Sequence, residues 1–341
     1  MTMLANPRMR SLLLALWLSA FAALSAAHAE VAEVRIPLGA GGFGFLPLYV
    51  MQAGGLIEKH GRALGLDGLR AQWIKVGGPT AVNDALLSGA ADFIAAGPPG
   101  FLTLWSRTTT SLRVRSVAAM TALPTYLTTR QERLKSLADF KPTDRIAVTA
   151  PRVSIVSICM QIYARQKFGP AETYRFEAMS VPMSHPDATI AMLTGNDLIT
   201  ADWSSPPFYQ REIKDPAIHT ITNTDELLGG PATFTMLSTT ARFREDNPKA
   251  YAAVLAALNE AIALIEADKP AAAKVFLDQE PGGFSADEIA ATLQSPDLKF
   301  GTTPMKIMQY ADFMYDTGLI KIRPNSWKDV FFPEAQQLPG N

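Results

Sequence analysis

A chain of 341 residues that is 48% hydrophobic and 18% charged can bury one or two sizeable cores and lacks the polar bias of a disordered protein. Its net charge of −1 offers no basic face to nucleic acid. A single cysteine, Cys159, excludes an intramolecular disulfide, so stability must come from packing.

Residues 1–29 combine a basic start at Arg8 and Arg10, an apolar stretch from Leu12 to Leu24, and an Ala-x-Ala ending at Ala27, His28 and Ala29. That order predicts a secretory signal peptide cleaved before Glu30. The apolar core is too short for a membrane anchor, and no cysteine stands at the cleavage point to take a lipid. Cleavage removes two arginines and no acid, taking the net charge from −1 to −3. The expected product is soluble and periplasmic.

Beyond Glu30, strand and helix patterns alternate. "VRIPL" reads as a strand, "PLYVMQAGGLIEKH" as a helix, "LRAQWIKV" as a strand and "PTAVNDALLSG" as a helix. A buried strand "ADFIAA", a helix "GPPGFLTLWSR" and a strand "RVRSVAAM" follow, the pattern of a sheet covered on both faces. After a break at "TALPTYLTTR", "RIAVTA" opens a second series. Its helix "SIVSICMQIYARQKFG" is capped by Ser154 and closed by Gly169, and places Cys159 among apolar neighbours as a buried residue. "YRFEAMS", "DATIAMLTGN" and "DLITADW" continue the alternation. "GGPATFTMLSTT" reads as a strand after a second break, and the remainder is mainly helical. There Asn247 is the expected cap, Pro248 the first helical residue, and Tyr251, Val254, Leu255, Leu258, Ala261, Ile262 and Ile265 an apolar stripe. Two series with two breaks imply a chain that builds part of lobe 1 (30–122), then lobe 2 (123–231), and returns to lobe 1 (232–341). The two crossings would form a hinge.

"GAGGFG", from Gly39 to Gly44, fits the dinucleotide-binding pattern G-x-G-x-x-G. Its context does not. The helix is expected from Pro47 rather than from the third glycine, and "LRAQWIKV" has no acid at its C-terminal end, Asp67 preceding it. No NAD or FAD site is expected, and no other cofactor. Such glycines still let backbone N–H groups approach a ligand or anion closely. His185 in "MSHPDA" has no nucleophile or partnered base beside it, no His/Cys/Asp/Glu grouping has metal spacing, and no G-x-S-x-G elbow occurs. No catalytic residue is assigned.

Four stretches, "FLPLYVMQAGGLIEKHG", "GGPTAVNDALLSGAADFIAAGPPGF", "LKSLADFKPTDRIAVTA" and "NPKAYAAVLAALNEAI", resemble the nitrate/sulfonate/taurine family of periplasmic solute-binding proteins, which includes binders of thiamine pyrimidine precursors. The resemblance implies a type II periplasmic binding protein fold, with two doubly wound α/β lobes joined by a two-strand hinge. It implies a monomer that closes on a small solute and delivers it to an ABC permease and its ATPase. An enzyme on the same fold and a sensor subunit using the same cleft are the alternative readings.

Carried onto this chain, the resemblance places ligand-binding residues at strand ends and helix starts. They are Gly41, Gly42, Phe43 and Phe45 on the first loop, Gly77, Gly78 and Thr80 on the second, and Pro98 and Gly100 on the third. Lobe 2 would add Arg152, Ser154, Asp202 and Trp203. Arg152 could pair with an anion bidentately or lie in solvent. Asp202 could receive an amine, hold Arg152 or cap a surface turn, and Trp203 could stack on the ligand or pack. The bulky loop "GGFGFLP" favours an organic sulfonate or carboxylate over nitrate.

Overall fold

The computed structural model describes residues 30–39, 41–75, 78–280 and 282–341; the expected signal peptide lies outside them. Among these residues the strands are, in chain order, β1 (Glu33–Leu38), β2 (Arg70–Lys75), β3 (Phe93–Ala96), β4 (Arg115–Ala122), β5 (Tyr126–Thr129), β6 (Ile146–Val148), β7 (Ser180–Pro182), β8 (Ala201–Ser204), β9 (His219–Asn223), β10 (Thr233–Thr239) and β11 (Lys299–Phe300).

β1 and β2 pair in parallel, and β10 lies antiparallel between β3 and β4, with β11 on the far edge of β4. Arg35 links β1 to the start of β3: its carbonyl accepts the Asp92 N–H at 2.9 Å, and its guanidinium meets the Asp92 carboxylate at 2.7 Å. β3 is buried on both faces, so its sequence shows no alternation. The second sheet has the order β7-β6-β8-β5-β9, with β5 antiparallel to both neighbours. β10 separates the mutually parallel β3 and β4 in the four-stranded sheet, as β5 separates β8 from β9 in the five-stranded one. The crossings β4 to β5 and β9 to β10 are pinned together, because the Thr125 N–H donates to Thr224 Oγ1 and the Thr224 N–H to the Thr125 carbonyl, both at 3.0 Å.

Several local expectations change. The expected helix over "PLYVMQAGGLIEKH" is two, Leu46–Ala53 and Leu56–Ala63, because Gly55 sits in the left-handed region at φ 54. The "TALPTYLTTR" break contains β5, and β9 escapes the sequence pattern. Ser154 caps the helix Ile155–Phe168 as expected, accepting the Ser157 N–H. Asn247 stands at the start of the helix Pro248–Ala267, but its Oδ1 accepts the Val31 N–H at 2.9 Å instead of capping. That helix is long and apolar enough to cross a membrane, yet Tyr251, Val254, Leu258, Ala261 and Ile265 are buried in the first lobe's core.

The lobes touch on both sides of the space between them. On one side Ile158, Cys159 and Ile162 of lobe 2 pack into a cluster with Phe101, Trp105 and Tyr310 of lobe 1. Cys159 is fully buried there, and burial pushes its thiol up to about 12. On the other side Arg211 donates to the Gly282 carbonyl, Lys214 pairs with Glu288, and the Phe208 ring meets Phe284 edge-on at 5.6 Å.

Candidate ligand-binding cleft

β1 ends at Leu38, and the glycine loop follows. Gly41 and Gly42 have φ of 89° and 87°, the left-handed region that favours glycine, and a Cβ on either would be tightly placed. A Cβ on Gly41 would stand 2.9 Å from Glu280 Oε1; one on Gly42 would stand 3.3 Å from Ser205 Oγ and 3.4 Å from the Pro206 carbonyl. The Phe43 N–H donates to that same carbonyl across the lobes. Gly42 therefore lets the first lobe's backbone press against the second, while Gly41 packs against Glu280 of its own lobe.

Between the lobes lies a cavity of about 80 Å³. Lobe 1 supplies Gly39, Gly41, Phe45, Val82, the segment Ala95–Gly97, Gly100, Phe234 and Thr235. Lobe 2 supplies Thr149, the segment Val153–Val156, His185 and Trp203, and Thr125 enters from a crossing segment. Among the described residues no Asp, Glu, Lys or Arg lines it. His185 is buried and stacks on Phe208 at 6.0 Å. Burial depresses its basicity to about 4, against a hydrogen bond to the Trp203 backbone, so the ring is neutral at neutral pH.

Three helices start at this cavity: Pro98–Thr108 behind Gly97, Ile155–Phe168 behind Ser154, and His185–Thr194 behind Ser184. The first N–H groups of a helix have no intrahelical partner and carry partial positive charge. Prolines 98, 99 and 186 remove three of these donors, and the Ser154 and Ser184 hydroxyls take the N–H groups of Ser157 and Asp187. The first-turn donors left at the three starts are the N–H groups of Gly100, Ile155, Val156 and His185. They suit an acceptor group that meets backbone rather than a cation.

Of the residues expected in the site, Gly41, Phe45, Gly100, Ser154 and Trp203 line the cavity. Gly42 makes the interlobe contact, and Pro98 is buried at its helix start. Gly78 and Thr80 belong to the first turn of the helix Gly78–Leu87, which sends Val82 to the wall; Gly77 lies outside the described residues. Phe43 is in the core, edge-on to Phe276 at 4.9 Å. Arg152 does not reach the cavity: its backbone is left-handed at φ 72, its side chain is 68% exposed, and it pairs with Glu177 at 2.7 Å. Asp202 is buried behind β8 against Glu212, away from Arg152 and from solvent. Successive strand residues face opposite ways, so Trp203 at the cavity puts Asp202 on the other face.

Arg152→Ala should accordingly change ligand affinity by less than about threefold, as for an exposed ion pair. Calorimetric titration of both proteins checks this, and a loss of tenfold or more would return Arg152 to the site.

Sequence reasoning missed Thr125, Thr149, Phe234 and His185 as wall residues. His185 had a local signal, since Ser184-His-Pro-Asp187 follows the pattern of a capped helix start after a strand. Thr125 had none, lying in a segment read as a break.

No protein-family model matches this chain, and no curated protein sequence matches it. Solved structures do. The alkanesulfonate-binding protein SsuA from Xanthomonas axonopodis pv. citri, bound to MOPS, superposes with a TM-score of 0.66 at 19% identity, covering 90% of this chain and 98% of that one. The chain has the periplasmic binding protein fold. The same binding-protein fold is shared with the periplasmic aliphatic sulphonate binding protein SsuA from Escherichia coli (TM-score 0.65, 17% identity, 92% of this chain and 95% of that one). It is shared too with the periplasmic nitrate-binding protein NrtA from Synechocystis PCC 6803 (TM-score 0.65, 13% identity, 91% and 86%). In this binding-protein fold the cavity described above lies in the cleft between lobes.

Proposed function

We propose that this chain is the periplasmic solute-binding component of an ABC importer, capturing a small organic anion in the interlobe cleft and delivering it to a permease and its ATPase. The observation that carries the reading is a cavity built jointly by both lobes, with helix starts around it and apolar walls of Phe45, Val156, Trp203 and Phe234. N–H donors and helix dipoles suit an anionic head, and the apolar walls suit an organic body. The sulfonate and nitrate binders of the same fold support it. In this reading the chain works as a monomer, exported by a leader cleaved before Glu30, with lobes 30–122 plus 232–341 and 123–231 moving about the Thr125/Thr224 crossing. Ligand-binding roles go to Gly41, Phe45, Gly100, Ser154 and Trp203 from the first assignment.

A space of about 80 Å³ has room for only a few water-sized groups. Compact ligands such as ethanesulfonate and taurine should therefore outbind long or aromatic ones. The test is a thermal-shift panel of alkanesulfonates, taurine, aromatic sulfonates, carboxylates, nitrate and pyrimidine precursors on the mature protein. At about a hundred times its dissociation constant, the right ligand should stabilise the fold by roughly 2.7 kcal/mol. Shifts from pyrimidines alone would replace the anion reading with that of a pyrimidine-precursor binder.

A further inference from the structure

Buried polar groups in folded proteins nearly always find a partner, so each that does not requires an explanation. Among the cavity-lining residues described, two side-chain atoms are buried with none: Thr125 Oγ1 and the Trp203 indole nitrogen Nε1. Both residues are 1% exposed. The backbones that carry them are fixed. The Thr125 backbone is clamped by Thr224 on both its N–H and its carbonyl, and Trp203 is held in β8 opposite Leu127, two residues beyond Thr125. The two residues therefore line the cavity beside the crossing, one on a crossing segment and one on lobe 2.

We propose that the Thr125 hydroxyl and the Trp203 indole N–H are the side-chain hydrogen-bond donors that hold the ligand, and that they fix its acceptor end against the hinge. An indole N–H donates only, and a hydroxyl can donate at the same time. Together they fit a group bearing two acceptor oxygens, as sulfonates and carboxylates do. With no Asp, Glu, Lys or Arg among the described lining residues, such a group is held by N–H and O–H donors. Because Thr125 belongs to the crossing itself, the ligand would bridge the hinge and lobe 2, so that occupancy and lobe position are coupled through one contact.

This inference rests on the anion reading above, and the experiment separates the two. Ethanesulfonate, taurine and acetate, with the neutral acceptors dimethyl sulfone and acetamide, are titrated into wild type, Thr125→Val, Thr125→Ser and Trp203→Phe, with melting of each apo protein. Valine matches threonine in shape and removes an unpartnered hydroxyl, so apo Thr125→Val should melt at or above the wild-type temperature. Its affinity for the anionic probe should fall about tenfold or more, and Thr125→Ser should recover most of that loss. Trp203→Phe should lose affinity by a similar factor while its circular dichroism stays native. Equal affinities in wild type, Thr125→Val and Trp203→Phe would overturn the proposal, leave the anion reading standing, and assign both groups to ordered water. Binding of the neutral acceptors only, lost in both variants, would keep the two donors and remove the anion. Wild type that binds none of the five would overturn both.

Discussion

Glu212→Ala should lower the unfolding free energy by about 2–5 kcal/mol, the cost of depriving buried hydroxyl donors of their acceptor. The Glu212 carboxylate accepts hydrogen bonds from Thr128 on β5 at 2.6 Å, Ser204 on β8 at 2.9 Å and Thr189 on the helix His185–Thr194 at 3.1 Å. Glu212 itself ends the helix Phe208–Glu212, so one side chain ties four elements of lobe 2. Alanine would leave the buried Ser204 and Thr189 hydroxyls without an acceptor, at roughly 1–3 kcal/mol each before relaxation, and Thr128 with only the Asp202 carbonyl at 3.2 Å. Urea unfolding followed by circular dichroism measures the effect; a loss under about 1 kcal/mol would mean that water replaces the carboxylate.

The same network sets a pH dependence. Burial and the neighbouring Glu212 charge hold Asp202 protonated well above the usual carboxylate range. A carboxyl whose folded pKa is raised contributes its full stability below its unfolded pKa of about 4, and loses it as pH rises through the folded value. Asp202→Asn cannot lose that proton and still offers N–H to Glu212. Its unfolding free energy should therefore decline less than that of wild type as pH is raised from about 4 upwards. Parallel pH profiles for the two proteins would refute the shared-proton arrangement.

Phe276→Ala should cost about 3–5 kcal/mol, as for other fully buried phenylalanines truncated to alanine. Phe276 lies on the helix Lys269–Gln279, fully buried, edge-on to Phe43 at 4.9 Å and 6.5 Å from both Tyr49 and Phe284. It joins the glycine-loop core to the returning C-terminal segment. Phe284 in turn meets Phe208, which stacks on His185 at the cavity wall. Truncation should lower stability and also weaken ligand binding, since the void reaches the clasp between lobes. Phe276→Leu should recover part of both. Denaturant unfolding and calorimetry read the two quantities; a stability loss below about 1 kcal/mol would show that neighbouring rings collapse into the space.

The helices and long strands were legible because their signals are local. Ser154 and Gly169 bracket a helix in sequence as in space, and the stripe from Tyr251 to Ile265 faces the core. β5 and β9 were not, being four and five residues long and held by partners far along the chain. The candidate site was half legible. Strand ends and helix starts were found, but charge was overvalued: Arg152 and Asp202 were chosen for their chemistry, while left-handed backbone and strand alternation direct them elsewhere. Thr125 becomes visible only when the crossing segments are seen to pin each other.

The interior position of β10 also orders assembly in time. All five strands of the second sheet lie between residues 126 and 223, so that sheet can close as soon as its own stretch is available. The first sheet cannot. β3 and β4 do not pair with each other; both pair with β10, which begins at Thr233. A chain emerging N-terminus first therefore carries two unsatisfied strand edges for more than a hundred residues, while the inserted lobe forms within the gap. The N-terminal portion is the stretch most exposed to aggregation and to chaperone capture, and it is committed last although it is made first.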